Sequence, residues 1–391
     1  MQETTDKTNR AQAGTTGTKK GRWRRFNALV AATMLFGSLL AIGATPVAAQ
    51  SAVVVVEEGE SIQAAIDAAD PGTTIVVRGD HVENLWVNKS GIALVGQEAS
   101  LTNDPTFTDT RCSPDPHAPA SLICVSPDAS NGPPAPSDYL DGFSIRGFEL
   151  STTSGDAIAT VFTNNVSVKR NTITESACDG VFVIFATGVF IERNEIANSG
   201  CNGINVNAGS LARIHRNSVD NSTFSGISVG DMARTIVRRN IATNNCIGIS
   251  VVDGADGGYG IRAEEFPGDR LRVTLNRSDN NNKTCPFGEG ATVGLTGIVV
   301  GGVNNVLLRN NTADNNVGDS ETLTAGGIVV AGFPNPDGST SESTNVTVIG
   351  NRAKGNSSAA GPLDLLLDSD DIRTVKWNHC DVSAPNARWC N

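Results

Sequence analysis

One pattern recurs along the middle of this chain and restricts its fold more than any other feature. A glycine, an aliphatic residue, any residue and a second aliphatic lead through a turn to an apolar strand ending in Arg-Asn. The glycines are Gly180, Gly203, Gly226 and Gly248. The asparagines are Asn171, Asn194, Asn217 and Asn240, a period of 23 residues. Looser copies return at Gly297 and Gly327 and at Asn276, Asn310 and Asn351. A short β-rich unit at this period means a solenoid, because each unit buries its inner face only by stacking on its neighbours.

Within one unit, Val189 and Ile191 alternate with Phe190 and Glu192, as a strand buried on one side requires. The four asparagines fall at one angular position, so their amides are expected to stack and hydrogen-bond along the column. A second column is expected four residues on, at Asn198, Asn221, Asn244 and Asn280. Both read as structural, serving turn backbone groups.

Residues 1–49 read as a secretion signal. Lys19 to Arg25 is basic, Ala28 to Ile42 is apolar, and Val47-Ala48-Ala49 offers a cleavage site before Gln50. Arg24-Arg25 leaves twin-arginine export open beside the general route. The apolar run is shorter than the roughly 20 residues a spanning helix needs, so no membrane attachment is expected after removal. Loss of this segment takes seven basic and two acidic residues and moves the formal charge from −11 to −16. So acidic a chain lacks the overall basic footprint of a nucleic-acid partner.

All eight cysteines follow residue 49, and in an oxidising compartment they read as disulfides. Cys178, Cys201 and Cys246 each precede a repeat glycine by two residues, so they share a column. Coils stack at roughly 4.8 Å, within reach of a bridge, which favours Cys178–Cys201. Phe224 holds this column on the next coil, so Cys246 is expected to meet Cys285, with Cys112–Cys124 and Cys380–Cys390 as local staples. The dispersed histidines and the lack of a CxxC pair argue against zinc. The few His and Met residues argue against copper.

The chain from 50 to 391 is expected to be one domain. An N-terminal cap (50–100) holds a short helix after Ser61, with Ile62 and Ile66 on its apolar side. A Pro-, Ser- and Asp-rich surface excursion (102–137) precedes repeat coils (138–356), and a C-terminal cap (357–391) contains Trp377 and Trp389.

The segment from Gly59 to Val95, GESIQAAIDAADPGTTIVVRGDHVENLWVNKSGIALV, resembles the opening of right-handed parallel β-helix proteins of the pectin-lyase-like superfamily. With the GVFV, GINV and GISV repeats, the resemblance covers nearly the whole chain after residue 49. It is nearest to secreted β-helix repeat proteins of bacteria. It implies an all-β fold, and it leaves activity open, because the superfamily spans lyases, hydrolases, epimerases, tailspikes and non-catalytic proteins. The Gly-His-Gly signature of polygalacturonase-like enzymes is absent, and the one Asp-Asp, Asp370-Asp371, lies near the terminus. Hydrolysis of that type is disfavoured.

Pectate-lyase-like chemistry needs carboxylates that hold Ca²⁺ and an Arg or Lys base. Asp156 and Asp179 each lie fifteen residues before a ladder asparagine and are the weak calcium candidates, with Asn202 next. Asp115-Pro116-His117 matches an epimerase tripeptide, but Ala118 follows and the loop is Pro-rich. No cofactor is expected otherwise.

A basic stripe remains. Arg170, Arg193, Arg216 and Arg239 precede the ladder asparagines on successive coils, with Lys169, His215 and Arg238 beside them and Arg309 beyond. Stacked like charges repel unless solvated, paired or bridged by an anion, so an acidic polysaccharide is a candidate ligand. The insertions at 252–270 (Asp256, Tyr259, Arg262) and 331–344 are expected to wall a cleft near Gly297. The reading is a secreted polysaccharide-binding β-helix. Its alternatives are a calcium-assisted polyuronate lyase or epimerase, and a non-catalytic surface scaffold.

Overall fold

The computed structural model describes residues 52–391, apart from 109–110, 113–119, 130–131, 254–268, 288–290, 319–321, 323, 335–338 and 370. The expected signal segment therefore lies outside the described residues, as do Asp256, Tyr259, Arg262 and the Asp115-Pro116-His117 tripeptide. No helix among the described residues is long and apolar enough to cross a membrane.

Each coil lays down three short parallel strands, and stacking turns these into three faces. One complete coil shows the plan. Val181–Thr187 belongs to the first and longest face, Phe190–Glu192 to the second and Glu195–Ala197 to the third. Val181 pairs with Ile158 behind it and Ile204 ahead of it. Likewise Ile191 lies between Val168 and Ile214, and Ile196 between Ile173 and Val219. Those inward side chains are almost wholly buried and form one continuous core along the solenoid.

The repeat glycines stand where the third face turns into the first. A Cβ on Gly203 would lie 2.1 Å from the Val219 side chain and 2.8 Å from the Gly226 carbonyl oxygen. Close passage of the chain at that corner thus dictates glycine.

The buried amide ladder runs from Asn171 through Asn194, Asn217, Asn240 and Asn276 to Asn311, Asn351 and Asn378. Asn217 is typical. Its Oδ1 accepts the Asn194 backbone N–H at 2.9 Å and the Asn194 amide at 3.0 Å, while its Nδ2 donates to the Ile191 carbonyl at 2.9 Å. The ladder residue is Asn311, not the expected Asn310, which takes the exposed corner one residue earlier with φ 54°.

The second column also differs from expectation. Asn198, Asn221, Asn244 and Asn280 are not a buried ladder; they occupy left-handed corners with φ from 57° to 61°, the first three exposed and Asn280 half-buried. The buried ladder lies one residue on, from Asn245 through Asn281, Asn316 and Asn356. It ends on Asp364, which accepts from Asn356, Asp381 and Val382.

The N-terminal helix is Ile62–Ala68, with Ser61 as N-cap and Ile62 and Ile66 fully buried. Glu83 accepts the Ile62 and Gln63 backbone N–H groups at the helix start. The excursion at 102–137 is not wholly superficial. Ile123–Val125 is a buried strand of the first face, paired with Leu85–Val87 and with Ile158 to Thr160. At the other end Trp389 packs on the core, whereas Trp377 is 71% exposed and closes nothing. All four disulfides form as expected: Cys112–Cys124, Cys178–Cys201, Cys246–Cys285 and Cys380–Cys390.

Candidate functional site

Two surfaces of different chemistry stand out, on different sides of the coil. The first lies on the outer side of the long face. Asp156 and Asp179 stack there as the spacing predicts, with Asp156 Oδ1 accepting the Asp179 backbone N–H at 2.8 Å. Asp179 Oδ1 then accepts the Asn202 backbone N–H at 2.8 Å, and its Oδ2 accepts the Asn205 amide at 2.8 Å. Asn207 continues the run by donating to Asn205 at 2.7 Å.

Burial pushes the Asp156 carboxyl up to about 8, and the Asp179 charge beside it adds to the rise against the Asp179 N–H and Ser121 hydrogen bonds. Burial likewise raises Asp179, opposed by Asn205 and Asn202. The pair is therefore disposed to hold a proton near neutrality. Cys178 and Cys201 flank Asp179, but their sulfurs are joined to each other.

Beyond Asn202 the same face opens into a cleft of about 430 Å³. Its floor is Ser228, Ser250 and Val299, and its sides include Phe224, Val293 and Phe333. The 331–344 insertion contributes Phe333, as expected. Val293 comes from the hairpin of Thr284–Phe287 and Ala291–Gly294, which sequence reasoning had not assigned to the cleft. Cys246–Cys285 ties that hairpin to the coil. Residues 254–268 lie outside the described residues, so Asp256, Tyr259 and Arg262 have no place in this geometry.

The second surface is basic. Arg170, Arg193, Arg216 and Arg239 stack at the corner between the second and third faces, all exposed and all with φ between 54° and 57°. A left-handed backbone is costly for a residue with a Cβ, and Gly or Asn is the usual occupant. Lys169, Glu192, His215 and Arg238 form the adjacent column on the second face. Arg309 pairs with Thr274, which pairs with Arg238, so it continues that column instead of the corner stripe. The next outward column holds Phe190, Arg213, Ile236 and Arg272.

Glu192 is the acid within this group, 3.5 Å from Arg193 and 3.7 Å from His215. Lys169, Arg170, Arg213, Arg216, Arg238 and Arg239 make no ion pair among the described residues. Burial and then Arg216 lower the His215 pKa, Glu192 opposes them, and Arg239 and Arg238 lower it further. Phe190 is 38% exposed, with Lys169 and Arg213 each 5.6 Å from its ring centre.

Three stacked parallel faces, buried amide ladders and a helix at the first coil define a parallel β-helix. The family model for the right-handed β-helix region matches residues 157–384, more than half of the chain, and the protein belongs to that family. By sequence, no curated protein matches it. Among solved structures it is similar to the A-modules of two mannuronan C-5 epimerases of Azotobacter vinelandii. For AlgE4 the TM-score is 0.51 at 14% identity, covering 83% of this chain and 93% of that one. For AlgE6 it is 0.53 at 14% identity, covering 83% and 92%. A double mutant of the tailspike protein of E. coli bacteriophage HK620 gives 0.53 at 13% identity over 83% of this chain and 59% of that chain. At these identities the likeness speaks for the fold.

Proposed function

We propose that the protein is secreted and binds an extracellular or cell-envelope polysaccharide at the arginine corner. The observation that carries this reading is the stack of Arg170, Arg193, Arg216 and Arg239, exposed and held in a conformation better suited to glycine. Violations of local backbone preference that bring no packing gain mark functional surfaces. Guanidinium groups pair bidentately with carboxylates, which makes acidic glycans the favoured class. The polysaccharide-related names of the similar structures, two mannuronan epimerases and a tailspike mutant in complex with a pentasaccharide, agree with such a partner.

A lyase or epimerase would need the carboxylates and an Arg or Lys base on one patch. Asp156 and Asp179 take their hydrogen bonds from Ser121, backbone amides and Asn side chains. The arginine corner is separated from them by the second face on one side and the third on the other. Binding is the better-supported reading, and calcium enters only under the enzymatic alternative. The test is a glycan array probed with the mature chain at low and high salt. Salt-sensitive capture by acidic glycans is expected, weakened by Arg193→Ala with Arg216→Ala. Failure to bind any glycan would leave the scaffold alternative.

A further inference from the structure

The arginine corner is the rim of a larger basic surface. Register places Arg146, Lys169, Glu192, His215 and Arg238 in one outward column of the second face. Arg213 and Arg272 stand two residues earlier on their strands, level with Phe190. At the corner Arg170, Arg193, Arg216 and Arg239 recur coil by coil at roughly 4.8 Å, the spacing of paired strands. On the face itself Arg213 and Arg272 stand two coils apart with Ile236 between them, and Glu192 and His215 separate Lys169 from Arg238. Such a row repels itself until an anion of matching period bridges it.

The third face makes the contrast. Its cations are neutralised by built-in partners: Arg277 with Asp279 at 2.5 Å, Arg352 with Asp314 at 2.7 Å and Lys354 with Asp381 at 2.9 Å. Between Lys169 and Arg272 of the second face, Glu192 is the acid that serves this purpose among the described residues; further along, Asp371 meets Arg373. Its unpaired cations are therefore not a general habit of the fold.

We infer that the second face binds a linear polyuronate lying along the solenoid axis, with one carboxylate-bearing ring to each coil. The inference rests on the polysaccharide reading and adds the ligand class, its direction and three further binding residues, Arg213, Arg238 and Arg272. A uronate polymer carries one negative charge per ring, and a pyranose ring is about as long as one coil step of roughly 4.8 Å. Phe190, flanked by Lys169 and Arg213, offers an apolar patch to a C–H face of one ring between two carboxylate partners. Duplex DNA carries a charge about every 1.7 Å, too dense for this spacing.

The experiment is calorimetric titration of the full mature chain with size-fractionated oligogalacturonates from dimer to octamer, with carboxyl-reduced oligomers and duplex DNA as comparisons. Affinity is expected to climb with each added ring and level off near the pentamer, since the coils from Lys169 to Arg272 number five. Arg213→Ala and Arg272→Ala are each expected to weaken the hexamer roughly tenfold, with an unchanged circular dichroism melt as the folding control. Carboxyl-reduced oligomers should not bind. Affinity independent of oligomer length, or untouched by both substitutions while the polymer still binds, would overturn the axial site and leave the polysaccharide reading standing. Equal affinity for duplex DNA would overturn the ligand class. Absence of all glycan binding would overturn both.

Discussion

Two corners of the same coil solve one backbone problem in different ways. Both require a left-handed residue at each turn of the solenoid. Between the third and first faces the chain supplies Asn198, Asn221, Asn244, Asn280, Asn315 and Gly355, the residue types that accept this conformation at least cost. Between the second and third faces it supplies four consecutive arginines, then Leu275, Asn310 and Gly350. The chain has the inexpensive solution available and uses it a few residues away. Leu211, Arg234 and Arg270, at the corner between the first and second faces, also take this conformation. What sets the arginine corner apart is therefore four like charges in succession, and these we assign to a ligand.

The largest expected effect separates the buried ladder from the exposed corner. Asn217→Ala strips hydrogen bonds from Asn194, Ile191 and Asn240 inside the core. At roughly 1–3 kcal/mol for each buried group left unpaired, it should cost 3 kcal/mol or more in urea denaturation. Asn221→Ala changes an exposed corner and should cost about 1 kcal/mol. Equal losses at the two positions would mean that the columns are not distinct in kind.

A second expectation concerns the acid pair. Burial raises Asp156 to about 8 and raises Asp179, so the folded protein holds more protons than the unfolded chain once pH exceeds the ordinary 3.8. The stability they contribute is complete below that value and is lost as pH climbs through about 8. The denaturation midpoint should therefore fall between pH 5 and pH 9. Asp179→Asn, which carries no charge, should flatten that slope, whereas Arg193→Ala should not.

The smallest effect lies on the basic face itself. Glu192→Gln removes its internal counter-ion. Affinity for polygalacturonate should rise about threefold, with stability unchanged, since exposed ion pairs contribute about 0–1 kcal/mol. Weaker binding would place Glu192 among the ligand contacts.

The fold was legible because a solenoid writes one structural unit repeatedly, so the Gly180 and Asn171 columns show its period directly. Register to a single residue was not. Where two asparagines adjoin, as at Asn310-Asn311 and Asn244-Asn245, one is buried and the other forms the exposed corner, and composition alone does not distinguish them. The strand Ile123–Val125 was hidden because prolines and serines surround it. Of the candidate site, the arginine stripe was visible as a column. Its left-handed backbone and its continuation into Arg213 and Arg272 were not, because both depend on pairings between coils.

The decisive measurement pairs stability with binding in one variant, Arg193→Gly with Arg216→Gly and Arg239→Gly. If the corner exists for a ligand, relief of left-handed strain should leave the protein as stable or more so, by about 0.5–1 kcal/mol per site. Binding to acidic polysaccharide at low salt should be lost in the same variant. A protein that loses stability while keeping its affinity for acidic glycans would contradict the account.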